Sequence, residues 1–284
     1  VMALKSGEAD IIFRPPVEHV EQLKQEKVHV ESVPSLRTHQ LLFNMKRPYM
    51  KDVNVRRAID ALINRQEIVD HVLAGYAKEA NGPFLPDYPF APSYEAKASG
   101  LETAKQYLAK AGFRVENGKL TKDGKALQLR LLTYASRPEL PIIAQMVQAN
   151  AKKIGIDIAI QQVENIDEYL AGNDDWDLAT YSSLTAPRGD AAYFLNANYM
   201  PNGGLNYAGV NNPALTAVIS ELNKTVDMDE RNEIAKKAAQ MIDKEMLHSF
   251  IVHPHIIVAY REGVRNWVTS KSEYYMLTKD LDVD

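Results

Sequence analysis

The chain contains no cysteine among its 284 residues. That excludes disulfide staples, thiolate chemistry and cysteine-ligated zinc. It also lacks a basic cluster: 33 lysines and arginines stand against 37 acidic residues, scattered along the chain, for a net charge of −4. A nucleic-acid footprint or a polybasic membrane patch needs clustered cations, so neither is expected. No apolar run reaches the roughly 20 residues of a membrane-spanning helix. A glycine-rich phosphate loop, a His-Glu-x-x-His helix and a Gly-x-Ser-x-Gly elbow are missing too. Asp174-Asp175 is a carboxylate pair, but it lies in a polar turn before Trp176, where water solvates it. With no nucleophile–base pair there is no reaction to assign, and neither an enzyme activity nor a cofactor is expected.

What is present reads as a globular α/β chain, 45% apolar and 25% charged, long enough for one large domain or two modest ones. Its first residues read as the end of a helix, stopped by Gly7, that runs into the strand Asp10-Ile11-Ile12-Phe13. A natural start seldom falls inside an element, so a piece of a longer protein is expected, and the missing leader then says nothing about export. Val28–Val33 alternates in the manner of a strand, and His39–Met45 is a second short apolar run. Asp52 caps a helix striped by Val55, Ala58, Ile59, Leu62 and Ile63, and Asn64 with Glu67 forms a capping box for the next, which Gly75 ends. Residues 77–95, rich in proline and aromatics, read as a long loop that wraps a surface or lines a site.

Leu101 to Ala111 is helical, and Asn117-Gly118 and Asp123-Gly124 mark a small hairpin. Then Leu127-Leu129-Leu131, a helix over 142–154 and Ile156-Ile158-Ile160 form a strand–helix–strand unit with parallel strands. A short helix at 166–171 and a strand over 176–182 follow. Residues 183–213 read mostly as loop, before helices from Pro213 to about Leu222 and from Met228 to Met246. Phe250–Tyr260 is an apolar strand whose Pro254 predicts an edge position or a bulge.

Three segments together carry a resemblance. They are Leu4-Lys5-Ser6-Gly7-Glu8-Ala9-Asp10; Leu42-Phe43-Asn44 with Pro48 and the run Asp52 to Ile59 and Ile63 to Val69; and Ala104 to Phe113. In this order the chain resembles the solute-binding proteins of oligopeptide, dipeptide and nickel ABC transporters, and His253-Pro254-His255 through Trp267 resembles that family's closing strands. The resemblance implies a periplasmic-binding-protein-like (type II) two-lobed α/β fold that shuts on its ligand. It implies the end of the first lobe over 1–42, the second lobe over 43–245 and a return to the first lobe over 246–284. It further implies a monomer, outside the cytoplasm in the periplasm or as an anchored lipoprotein, that partners ABC transporter membrane subunits and delivers a nickel chelate or a short peptide. Asn44 to Met50 joins a strand to a capped helix through a proline, so a hinge is expected there. Arg56, Arg57 and Arg65 read as solvated or salt-bridging helix residues.

Ligands of open α/β sheets sit beyond the carboxyl ends of strands, here past Tyr181-Ser182-Ser183. Peptide-binding members of the resembled family often carry an acid in that loop; this chain has Arg188. A guanidinium pairs bidentately with a carboxylate, which turns the expected ligand towards an anionic group such as an amino acid chelating nickel, or a peptide C-terminus. The alternative is that Arg188 pairs with Asp190 or faces water. Tyr181, Thr185, Asn206 and Tyr207 are further candidates, against core packing for Tyr181 and turn chemistry for the glycine-rich Asn206-Tyr207 segment. His253 and His255 share one strand face, but two ligands make no metal site, so no metal-binding residues are assigned.

Overall fold

A computed structural model describes residues 1–274 and 276–284. Alternating and fully apolar segments settle into a mixed sheet that curls into a half-barrel. One half runs Asp157–Val163, Gln128–Tyr134, Leu178–Leu184, Arg37–Phe43 and the start of His248–Arg261. The first three are parallel; Arg37–Phe43 and His248–Arg261 continue antiparallel. The parallel pair is the expected strand–helix–strand unit, with helix Glu139–Lys153 burying Leu140, Ile143, Ala144 and Val147 against the sheet.

The strand His248–Arg261 runs on past this half. From His255 to Arg261 it pairs with Val28–Pro34, and Ile11–Phe13 joins it over Val258 to Tyr260. The ladder slips between Phe250 and Val252, and Pro254 pairs with Ala77 of the short strand Ala77–Glu79. Pro254 thus lies two residues beyond that slip, in a strand bonded on both sides and where its partners change, not at an edge. Two stretches cross between the halves, Pro34 to Arg37 and Phe250 to Pro254, bound to each other by Ser35 N–H and Oγ–H donating to Pro254 O at 3.1 and 2.6 Å.

The capped helices form as expected. Asp52 accepts from Asn54 N–H, and Asn64 from Glu67 N–H. Asn117-Gly118 and Asp123-Gly124 take left-handed backbone in the two turns of a three-stranded meander. Gly155 is required where the helix Glu139–Lys153 turns back: a β-carbon there would meet Gly118 O and Leu120 N at 2.9 Å.

Several expectations need correction. Helix Ala192–Tyr199 lies within the stretch read as loop; its buried face, Phe194, Leu195, Asn198 and Tyr199, includes a polar Asn198 while the open face carries Ala192, Tyr193 and Ala197, so no clear amphipathic stripe marks it. The loop after Glu79 buries Phe84, Leu85 and Phe90 in a second core, with Phe84 edge-on to Phe90 and Phe194. Asn44 is no hinge. It is fully buried, and its Nδ2 donates to Trp176 O at 2.8 Å while its backbone N–H donates to Asp177 O.

Arg65 is salt-bridging, one of the two expected alternatives, whereas Arg56 is not solvated and bonds carbonyls; each is 5% exposed. Arg56 donates to Met50, Glu245 and Met246 carbonyls. Arg65 bonds Asp60 at 2.6 Å and Phe250 O at 2.7 and 2.9 Å. Burial alone would raise the Asp60 carboxyl, but Arg65, Lys97 and the Ser249 hydroxyl together hold it below its usual range. Removing one partner of such a pair strands a buried charge. Arg65→Met is expected to cost roughly 3–5 kcal/mol in denaturant unfolding, whereas Arg57→Ala should stay within about 0.5 kcal/mol.

Candidate functional site

The carboxyl ends of Gln128–Tyr134 and Leu178–Leu184 open on a cleft, as parallel strands require of an α/β sheet. One cavity there holds about 400 Å³ and is lined by Arg37, Tyr181, Ser182, Arg188, Tyr193 and Tyr274, among others. An adjoining one of about 360 Å³ shares Tyr181 and Ser182 and is walled by Tyr134, Ser136, Arg137 and Asp167.

Arg188 is exposed in the loop after Leu178–Leu184. It makes no hydrogen bond or salt bridge among the described residues, because the acid two positions on is already engaged: Asp190 binds Arg231 at 2.7 Å and caps Ala192 N–H at 2.6 Å. Tyr181 lines the same cavity, and its hydroxyl donates to Asp167 Oδ1. Tyr207 donates to that same oxygen at 3.1 Å, its ring edge-on to Tyr181 at 6.1 Å. Burial, then Asp167, raises both phenols, Tyr207 to about 12, so both stay protonated donors.

Two candidates point elsewhere. Thr185 is 1% exposed and donates to Leu36 O at 3.0 Å, holding the crossing segment. Asn206 spends its amide on Met200 O, Val210 O and Val210 N–H, which closes its own turn. His253 bonds Thr38 Oγ1 at 3.0 Å and His255 bonds Ser32 Oγ at 2.7 Å. Among the described residues no group of three or more His, Asp or Glu side chains could hold a metal ion.

Arg37, Arg137 and Asp167 escaped the sequence reading. Arg37 begins its strand, Arg137 precedes helix Glu139–Lys153, and Asp167 opens helix Ile166–Gly172. Burial, with Arg37 and Arg14 nearby, lowers the Arg137 guanidinium to about 10. A cation so placed gains from any anion that enters, and such perturbed groups mark functional clefts. Behind the cavity, Arg37 Nη1–H donates to Ser182 Oγ at 3.3 Å. His39 meets Ser182 Oγ at Nδ1, 2.9 Å, and Glu139 at Nε2, 2.7 Å. Burial lowers His39, and Glu139, despite its own burial, is drawn down to about 2 by the histidine's hydrogen bond. A neutral His39 therefore donates from Nε2 to an ionised Glu139 and accepts at Nδ1.

Residues 1–206 match the model for bacterial extracellular solute-binding proteins, family 5 middle, and the chain belongs to that family. Its members bind solutes and carry out no reaction on them. The nickel-binding protein NikA of Staphylococcus aureus is 34% identical over 98% of this chain and 55% of its own length. The crystal structure of the Bacillus halodurans nickel ABC transporter is 55% identical with a TM-score of 0.88, over 99% of this chain and 60% of that one. S. aureus NikA, solved in complex with Ni(L-His)2, superposes with a TM-score of 0.86 over all of this chain and 59% of its own. The chain thus spans less than two thirds of each relative.

His248 and His253 are buried, and burial lowers their pKa values to about 3 and about 4, from an ordinary 6.5. The unfolded chain takes up protons that the fold refuses, so this stability is complete above pH 6.5 and fades as pH falls towards 4. Each histidine contributes a slope of roughly 1.4 kcal/mol per pH unit there. Thermal melting from pH 7 to 4.5 should show a falling Tm, with a shallower fall in His253→Gln.

Proposed function

We propose that the chain is the greater part of an extracytoplasmic solute-binding component of an ABC importer. It captures nickel as an amino-acid or metallophore chelate in the cleft and presents it to the membrane subunits of the transporter. The observation that carries the cargo is Arg188, a guanidinium with no partner among the described residues, in a cavity it shares with Arg37. Arg137 stands in the adjoining cavity. Cations here meet a carboxylate-bearing solute at low cost, and the Tyr181, Tyr193 and Tyr274 rings supply flat apolar walls. The 55% identity to a nickel transporter structure and the Ni(L-His)2 complex of a 34% identical relative favour the same cargo.

The proposed lobes are 1–42, 43–245 and 246–284. The two crossing stretches at Pro34 to Arg37 and Phe250 to Pro254 support two chain passages between lobes. Of the ligand set proposed on sequence, Arg188 and Tyr181 line the cavity, which supports these two, and Tyr207 braces Tyr181 edge-on.

A second reading, a receptor for di- or oligopeptides, is favoured by Asp167. Both phenols bind its Oδ1, and Oδ2 has no hydrogen bond among the described residues, so it can accept an ammonium. Calorimetry separates the two. Arg188→Ala should weaken binding of the Ni(II)–L-histidine complex by roughly tenfold or more, the scale of a lost charge-assisted pair, while Asp167→Asn leaves it near wild type. An unchanged dissociation constant for Arg188→Ala removes Arg188 from the site. A dipeptide that binds the wild type and loses affinity in Asp167→Asn selects the peptide reading.

A further inference from the structure

The arginine that shares the cavity with Arg188 is already occupied by the protein itself. After the long strand the chain returns across the cleft as the segment Lys271–Tyr274. Lys271 O accepts the Leu36 N–H at 3.0 Å, which ties the segment to the first crossing. Two residues on, Glu273 meets Arg37 as a two-pronged pair, Nε to Oε1 at 2.7 Å and Nη2 to Oε2 at 2.9 Å. Arg137 Nη2 approaches the same carboxylate at 3.6 Å. The next side chain, Tyr274, lines the cavity of Arg37 and Arg188.

On its far side Glu273 faces another hollow of about 480 Å³, together with Arg14, Arg137 and Glu139. Its carboxylate thus lines this hollow while bonding Arg37, which lines the other. The Glu273 side chain is 18% exposed and those of Arg37 and Arg137 are 14% exposed. Burial would raise the Glu273 carboxyl, but Arg37 and then Arg137 hold it below its usual range, so it is an anion.

We propose that Glu273 is a built-in stand-in for the ligand's carboxylate. It occupies the Arg37 fork, with Arg137 close by, while the cleft is empty and is displaced, with its segment, when a carboxylate-bearing solute enters. This rests on the reading that the Arg37–Arg188 cavity takes such a solute. The chemistry of the exchange is simple. Arg37 presents one fork, and a fork bonds one carboxylate bidentately at a time. Trading one carboxylate for another leaves no buried cation unpaired at either stage, the state that would otherwise be most costly. Neutral solutes cannot make the trade. The empty site is kept in one geometry, at the expense of an affinity reduced by the fraction of molecules with the segment in place. Release of Lys271 O from Leu36 links the exchange to the crossing between lobes.

The test uses calorimetry and hydrogen exchange on the purified protein with the Ni(II)–L-histidine complex as probe. Glu273→Gln keeps the shape and removes the charge, so it is expected to bind about fivefold tighter or more, because the competing state is weakened. In the wild type, the Leu36 and Lys271–Tyr274 amides should exchange faster when loaded than when empty. A measurement of Tm establishes that the variant is folded, and the exchange experiment needs no variant. An unchanged or weaker Kd in Glu273→Gln, or equal protection of the segment in the loaded and empty wild type, overturns the proposal. If Arg188→Ala is neutral while Glu273→Gln still tightens binding, the stand-in holds and Arg188 alone is excluded. If the probe binds neither wild type nor variant, the chelate reading fails and takes the stand-in with it.

Discussion

The strand His248–Arg261 bonds to Arg37–Phe43 along its first residues and to Val28–Pro34 along its last, so two lobes share one backbone ladder. The rest of the chain is arranged to keep that strand in register through its slip at Phe250. Arg65 does most of this: its guanidinium sits on Phe250 O and is balanced by Asp60, which also accepts from Ser249 Oγ. Arg56 fixes the approach to the strand by taking up the Glu245 and Met246 carbonyls. Charged side chains bonded to carbonyls at a bulge satisfy acceptors that the ladder leaves open, where an apolar side chain would leave them bare.

From that frame the cleft inherits its order. Arg37 is the first residue of the strand beside it, and Ser182 stands opposite His39 in the same register. The path Arg37, Ser182, His39, Glu139 thus spans two adjacent strands and the helix behind them, and every member has a partner. A neutral histidine in the middle adds no charge to a region already holding several arginines. Of the cations facing the cavity, Arg188 alone has no partner among the described residues, Arg37 being paired with Glu273.

Most of the fold was legible because its signals are local. Alternation marked Val28–Pro34, oxygen-bearing caps marked the helices at Val53 and Arg65, and Asn-Gly and Asp-Gly marked the meander turns. Helix Ala192–Tyr199 was not legible, since a polar Asn198 on its buried face and Ala192, Tyr193 and Ala197 on its open face blur the periodicity; Asp190, which accepts from Ala192 N–H, was its one local sign. The site divides in the same way. Arg188 stood out as a charge of unexpected sign in a loop that follows a strand. Arg37 and Glu273 are 236 positions apart, and nothing in either segment alone announces a pair. Asp167 looked like an ordinary first-turn acid until the fold brought Tyr181 and Tyr207 to it from separate segments.

Arg56 and Arg65 lie in the very run, Asp52 to Val69, on which the chain is most readily matched to its relatives. Both point away from solvent and hold carbonyls in place, and neither lines the two cavities of the cleft. A search keyed to it gathers transport proteins of every diet into one bin. If the proposed cleft takes the cargo, sorting that bin by diet means looking at positions 37, 137, 167, 188 and 273, which no continuous stretch of sequence contains.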